Sequence, residues 1–291
     1  MSKVIAFGWY GGKFNHLNWL LPLLPETTHY CEPFAGSAAV LLNRKSSPVE
    51  TYNDIDGEVV NFFRVLRDRQ EELIHAIGLT PFSREELRIA VEEPIEGLSE
   101  LERARRFFVR ARQVRTGLAQ TASAGRWAHC KLTSRAGMAG AVSRWLGSVE
   151  GLSEIVQRLL RVQIENAPAI EVMQRYDSEE TLFYCDPPYP HDSRGDSRAY
   201  GYEMTDDNHR DLAEVLKSLK GKVALSGYRC DLLNNLYKDW NCIESPSKQC
   251  LSVKKPRIEI LWTNYDVPMD MGECQNQMQS SMPLFDTLTP T

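Results

Sequence analysis

The tetrapeptide Asp186-Pro187-Pro188-Tyr189 holds the side chains best suited to chemistry on an amino group conjugated to an aromatic ring. Such a nitrogen is a poor nucleophile because its lone pair is delocalised into the ring. A carboxylate and a fixed backbone carbonyl can accept its two N–H bonds and draw the lone pair toward an electrophile. Pro187 and Pro188 have a locked φ and no N–H, so the loop offers carbonyls in a rigid frame. Tyr189 supplies a face on which a planar base can stack. The preceding run, residues 181–185, is short, apolar and β-prone, which sets the loop at the carboxyl end of a buried strand. Ligands of open α/β sheets gather at that end. Taken alone, the tetrapeptide is equally a plain Pro-Pro turn.

A second constellation lies upstream. Residues 29–31 read as a strand, followed by Glu32-Pro33-Phe34-Ala35-Gly36-Ser37 and a helix beginning near Ala38. Small residues in a strand-to-helix turn let a nucleoside-bearing cofactor approach the backbone. The next strand, residues 49–52, ends at Asn53-Asp54, and an acid about 20 residues past the glycine is where ribose hydroxyls are held. Asp54 is the expected ribose ligand; capping of the helix that follows is the other use of an acid there.

With these motifs in order, residues 7–265 resemble the Dam-like, class D12 DNA adenine methyltransferases. Trp9-Tyr10-Gly11-Gly12-Lys13 resembles the family's aromatic-x-G-G-K opening, and residues 32–36 are similar to its cofactor loop. Asp54 is similar to its ribose carboxylate, Asp186–Tyr189 to its catalytic loop, and residues 222–228 and 259–265 to its late strands. Ala38 departs from the pattern, since many relatives carry a second glycine there. The resemblance implies a Rossmann-like α/β fold, S-adenosylmethionine as methyl donor, no metal, and double-stranded DNA as substrate. It implies cofactor contacts at Trp9, Lys13, Glu32, Pro33, Phe34, Ala35, Gly36, Ser37, Asp54 and Asp186, and catalysis by Asp186, Pro187, Pro188 and Tyr189 on a flipped-out adenine. Cofactor loop before catalytic loop is the order of the family's alpha group.

The gap between Asp54 and Asp186 is far longer than one crossover requires, so it holds something folded. Net charge over the 291 residues is −5, which superficially argues against a nucleic-acid partner. Yet residues 101–146 contain ten basic residues and one acid, Glu102. Clustered arginines are the footprint of phosphate binding whatever the total charge. Arg112, Arg115, Gln120, Arg126, Trp127, Lys131 and Arg135 are the expected DNA contacts, against the plainer reading of a solvated basic face. Gln113 also has a type suited to base edges. The segment Gln113-Val-Arg115-Thr-Gly117 lacks the Asn of relatives that methylate GATC, so that site is not supported.

The expected architecture is a catalytic domain from residues 1–60 and 166–265, a mainly helical target-recognition insertion at 61–165, and a disordered acidic tail at 266–291. Helices are expected over 59–69, 84–91, 98–115 and 153–160, and a mobile loop over 191–203. The seven cysteines form no C-x-x-C pair, no apolar run approaches a membrane span, and residues 1–13 lack a signal pattern. A reduced cytoplasm, bacterial or phage-infected, is the expected setting, with a restriction partner or a solitary role both open. Cytosine C5 chemistry is excluded by the lack of any Pro-Cys pair, while cytosine N4 methylation and a non-catalytic DNA-binding scaffold remain alternatives. RNA and protein-glutamine methylation use related loops without the Gly-Gly-Lys opening. In the tail, Ser281-Met282-Pro283-Leu284-Phe285 resembles peptides that bind the replication sliding clamp, with Ser281 in place of Gln. Folding back onto the enzyme is the competing expectation.

Overall fold

The computed structural model describes residues 3–190, 203–246 and 258–267. The expected loop at 191–202, most of the acidic tail and the clamp-like segment 281–285 lie outside the described residues.

Helix α1 (Leu17–Leu20) precedes strand β1 (His29–Glu32), and α2 (Ala39–Asn43) leads to β2 (Val49–Asn53). Four helices follow: α3 (Gly57–Asp68), α4 (Gln70–Leu79), α5 (Arg84–Glu92) and α6 (Glu100–Arg112). A hairpin of β3 (Ser134–Arg135) and β4 (Met138–Ala139) comes next, then α7 (Gly140–Glu150) and α8 (Leu152–Leu159). The chain then runs through β5 (Val162–Glu165), α9 (Ala169–Arg175) and β6 (Thr181–Cys185). It closes with α10 (Asp206–Ser218), β7 (Lys222–Tyr228), α11 (Asp231–Leu236), β8 (Asn241–Glu244) and β9 (Glu259–Thr263).

The main sheet has the order β5-β2-β1-β6-β7-β9-β8. Strands β5 through β7 are parallel, and β9 runs antiparallel to both its neighbours. This is the expected Rossmann-like α/β class. From β1 the chain moves outward to β2 and β5, then returns to β6 and continues to β7. The boundary between β1 and β6 is therefore the topological switch point, where a crevice opens at the carboxyl ends. Central position explains why Thr181–Cys185 is buried at every residue, including both faces.

Polar residues at helix starts set the entry angles. The side chains of Asp56, Ser83 and Ser99 accept from backbone N–H groups in the first turns of α3, α5 and α6. Thr205 and Asn208 form a reciprocal capping box on α10. Expected helices ended within a few residues of those observed, except that the third stops at Arg112 and not at residue 115. Helices α1, α4, α7 and α9 were not expected. Helix α7 contains Gly140 and Gly147 and is held by the buried Trp145, a case of tertiary burial overriding weak propensity.

Two apolar clusters cover the two faces of the sheet. One joins Phe183, Val223 and Ile260 to α9, α10 and α11. The other runs from Tyr30 and Leu182 into α3, α6 and α8 without a break. At its centre Phe7 meets Phe62 edge-on at 5.3 Å and Phe107 at 5.1 Å, while Phe62 stacks on Phe108 at 5.6 Å. The helices of the long insertion thus share the sheet's core. Strand β5, which the sequence reading placed in the insertion, is an edge of the main sheet.

The basic stretch is much less free than its local composition implied. Arg103 and Arg110 pair with Glu58, Arg105 with Glu86 and Glu102, and Arg106 with Glu102 and Glu93. Most of these acids are distant in sequence, so a window count could not register them. Glu50, fully buried on β2, receives the Arg158 guanidinium of α8, and it also accepts from the Ser47 N–H at 3.0 Å. Removing one partner of such a pair leaves the other charge stranded. Glu50→Ala is expected to lower the unfolding free energy by about 3 kcal/mol in urea titrations, and a loss under about 1 kcal/mol would contradict this role.

Candidate active site

The site is built at the switch point from three chain segments. Phe7 anchors the N-terminal segment in the aromatic core, which delivers Trp9 and Lys13 to the sheet's carboxyl edge. Gly11 takes φ +72°, and the Gly12 N–H donates to the Trp9 carbonyl at 3.0 Å, closing the turn that points Lys13 inward. The Lys13 ammonium is only 2% exposed. It donates to both oxygens of Asp186 at 2.7 and 2.8 Å and to the Gly11 carbonyl at 2.7 Å, with Glu259 at 3.4 Å. Burial alone would lower its pKa, but Asp186 and Glu259 outweigh it, so the ammonium is held above its usual value. Burial, with Glu259, pushes Asp186 up, and Lys13 together with the Tyr189 hydroxyl pulls it back. The direction that decides the charge state is that of the lysine, which stays cationic and keeps its partner ionised.

Tyr189 is 3% exposed and is turned inward. Its hydroxyl donates to Glu259 and lies 3.1 Å from Asp186 Oδ1. Tyr228 meets its ring edge-on at 4.8 Å, and the Lys13 ammonium sits 5.0 Å from its centroid. Stacking of a base on this ring requires a neighbour to move. Glu259 was not anticipated as part of the site. The available signal was a lone acid heading the otherwise apolar strand Glu259–Thr263, all of it buried.

A cavity of about 420 Å³ opens beside Asp186, walled by Trp9, Pro33, Phe34, Asp54, Ile55 and Pro188. Pro168, Ile170, Met204 and Leu212 continue its apolar lining, and Asp56, Gln120, Asn208 and Asp211 add polar groups. A smaller recess holds Lys13, Glu32, Ala35 and Ser37 and shares Trp9, Phe34 and Asp186 with it. Pro187 is buried. The loop after β1 is tied to the end of β2: the Gly36 N–H donates to Asp54 Oδ2 at 2.8 Å, and the Asn53 amide to the Pro33 carbonyl at 2.8 Å. Gly36 has φ +48°, and a Cβ there would overlap the Trp9 indole. Asp54 does not cap α3, since Asp56 does that. Burial raises the Asp54 pKa to about 6 against the pull of the Asp56 and Gly36 N–H groups. Ala38, the departure from the glycine pattern, adopts a left-handed φ of +55° with no exposure. That conformation favours glycine, and alanine tolerates it at a cost of about 1–2 kcal/mol.

The seven expected DNA contacts divide. Arg115, Arg126, Lys131 and Arg135 are exposed and have no acidic partner among the described residues. Arg115 and Arg126 are brought side by side by the backbone bond from Arg115 N–H to the Arg126 carbonyl at 2.8 Å. Arg112 instead donates to the Ala6 and Ile5 carbonyls, and burial lowers its pKa to about 10. Trp127 lies against Phe82 and under the Arg84 guanidinium. Gln120 faces the cavity. Gln113, also considered for base edges, is fully buried and latches Pro81 and Ser83.

A switch-point cavity flanked by an ion-paired Asp-Pro-Pro-Tyr loop is the arrangement of a Rossmann-like methyltransferase. A sequence model of the D12 class N6 adenine-specific DNA methyltransferases matches residues 9–250, and the chain belongs to that family. It is an adenine-specific DNA methyltransferase. It is also similar to the Type II methyltransferase M1.LlaDCHI of Lactococcus lactis subsp. cremoris, at 27% identity over 286 residues, covering 88% of this chain and 94% of that protein. No helix among the described residues is long and apolar enough to cross a membrane.

Glu32 yields a pH test of the recess. It is 2% exposed, and burial raises its pKa to about 8, even with Tyr30 donating at 2.5 Å. An unfolded glutamate releases its proton near 4.5. Between these values the folded chain binds the extra proton, so this group's contribution to stability falls as pH rises through the window. Glu32→Gln is expected to gain on the wild type in urea stability as pH goes from about 5 to about 8. A difference independent of pH would contradict the burial of this carboxyl.

Proposed function

We propose that the cavity at the switch point binds S-adenosylmethionine and that Asp186, with the Pro187 carbonyl, holds the amino group of the target adenine. The observation that carries this reading is Asp186 itself, which forms part of the cavity wall while its charge is fixed by Lys13 behind it. A volume of 420 Å³ falls within the range of small-molecule sites. Gly36 lets the Trp9 indole pack directly on the loop backbone, and the Asp54 carboxylate retains lone pairs for ribose hydroxyls after accepting two backbone N–H groups. Glu32, Ala35 and Ser37 support the loop from the smaller recess.

S-adenosylmethionine supplies an electrophilic sulfonium methyl when bound. The chain's own residues position and discharge the nucleophile. An adenine inside a duplex cannot present its amino group, so the base is flipped. Asp186 has a 17% exposed side chain, and Lys13 and Tyr189 leave one of its lone-pair directions for the adenine N–H. The Pro187 carbonyl takes the second N–H, and the lone pair is turned toward the methyl. Tyr189 receives the flipped ring once it is released from Glu259 or Tyr228. Orientation of this kind contributes up to about 7–11 kcal/mol. The methylated nitrogen is cationic and must lose a proton, for which Asp186 is the adjacent acceptor.

Arg115, Arg126, Lys131 and Arg135 are assigned to phosphates, and the five arginines of α6 to intramolecular contacts, four with acids and Arg112 with backbone carbonyls. The name of the Lactococcus relative supports a restriction–modification role for this chain as well. A bacterial cytoplasm suits Cys31, Cys130, Cys185, Cys230 and Cys242, which form no disulfide among the described residues.

Asp186→Ala is expected to slow single-turnover methyl transfer at least about 100-fold while S-adenosylhomocysteine still binds; near-normal transfer would remove Asp186 from the chemistry. For the DNA surface, Arg126→Ala is expected to weaken binding and to lower the salt slope by about one, read by fluorescence anisotropy between 50 and 200 mM salt. Arg105→Ala should leave that slope unchanged. Equal slopes for the two variants would overturn the division of the basic residues.

A further inference from the structure

Gln120 belongs to the basic insertion, yet its side chain forms part of the wall of the cavity that also contains Trp9, Asp54 and Asp186. Its Oε1 is buried and accepts no hydrogen bond among the described residues. A buried carboxamide oxygen without a donor is costly, on the order of 1–3 kcal/mol, and persists where a ligand supplies the missing partner. The backbone brings it there deliberately. After α6 the chain is pinned to the N-terminal segment by Arg112, which donates to the Ala6 and Ile5 carbonyls at 2.7 and 3.2 Å. Gly8 and Gly117 then meet so closely that a Cβ on Gly8 would lie 2.7 Å from the Gly117 carbonyl oxygen. The 3-10 turn Ala119–Thr121 follows at once and sets Gln120 in the cavity wall.

We propose that Gln120 is a cofactor ligand contributed by the DNA-binding insertion: its Oε1 accepts a hydrogen bond from an N–H or O–H group of the bound S-adenosyl compound. This rests on the assignment of the cavity to that cofactor. The contact ties cofactor occupancy to the segment that carries Arg115 and Arg126. Cofactor binding therefore holds this segment in the arrangement that presents both arginines, and DNA and cofactor raise each other's affinity by the same factor.

The discriminating variant is Gln120→Met, which keeps length and volume and removes the acceptor. Binding of S-adenosylhomocysteine to the full-length protein without DNA is measured by calorimetry for the wild type, Gln120→Met and Asp54→Ala. The expected result is about tenfold weaker binding by Gln120→Met, with an unchanged thermal midpoint for the ligand-free protein. Anisotropy is expected to show that S-adenosylhomocysteine tightens DNA binding by the wild type and does so less for this variant. Unchanged S-adenosylhomocysteine affinity in Gln120→Met, while Asp54→Ala weakens it, overturns the inference and leaves Gln120 as a DNA contact or a wall residue. Weakening accompanied by a fallen midpoint overturns it too, since the residue is then structural. If the wild type binds no S-adenosylhomocysteine, it is the cavity assignment that fails.

Discussion

A lysine with 2% exposure is held against a carboxylate at the end of the central strand, and the catalytic end of the molecule is arranged around that pair. Neither charge is tolerable there alone, because an unpaired buried ion costs several kcal/mol. The pair is also far from local, since Lys13 and Asp186 are 173 residues apart. It closes only when the N-terminal segment has been seated by Phe7 in the aromatic core and β6 has been placed beside β1. Folding the sheet and assembling the site are thus the same event. Glu259 extends the pair into a network by receiving the Tyr189 hydroxyl and facing Lys13, so a strand from the far side of the sheet also reports on the pair's integrity.

Walls of Trp9, Phe34, Ile55 and Pro168 give the cavity its apolar character, and Asp54 and Asp186 mark its polar ends. Of the ten basic residues of 101–146, the exposed ones left without an acid among the described residues are Arg115, Arg126, Lys131, Arg135 and Arg144. Arginines that face α3 and α5 are consumed by Glu58, Glu86 and Glu102. The patch of exposed basic residues is accordingly narrower than a charge count along the chain implies, and it is joined to the cavity through the turn that bears Gln120.

The sheet and the loops that follow β1 and β6 were legible in the sequence because each is a local pattern: an apolar run followed by residues of fixed backbone geometry. Spacing sufficed to single out Asp54, which lies in the cavity wall, while the cap of α3 falls to Asp56, two residues on. What was not legible was every property that depends on a distant partner. Glu259 looked like one residue of a late strand. Gln113 and Trp127 had types suited to base edges, but one is latched to Pro81 and Ser83 and the other is packed against Phe82 and Arg84. Arg112 looked like its neighbours and instead holds the N-terminal segment in place. Helix α7 was hidden by its glycines, because only the burial of Trp145 makes that segment helical.

The claim on which the rest stands is that Lys13 and Asp186 act as one unit, the lysine serving to keep the carboxylate ionised and aimed. A double-mutant cycle tests it most directly: single-turnover methyl transfer to duplex DNA by the wild type, Lys13→Met, Asp186→Asn and the double variant. If the pair is one unit, the double variant is no slower than the slower single variant, giving strong coupling. If the losses of the two single variants simply add in free energy, the residues act independently and the ion pair is not the basis of the site.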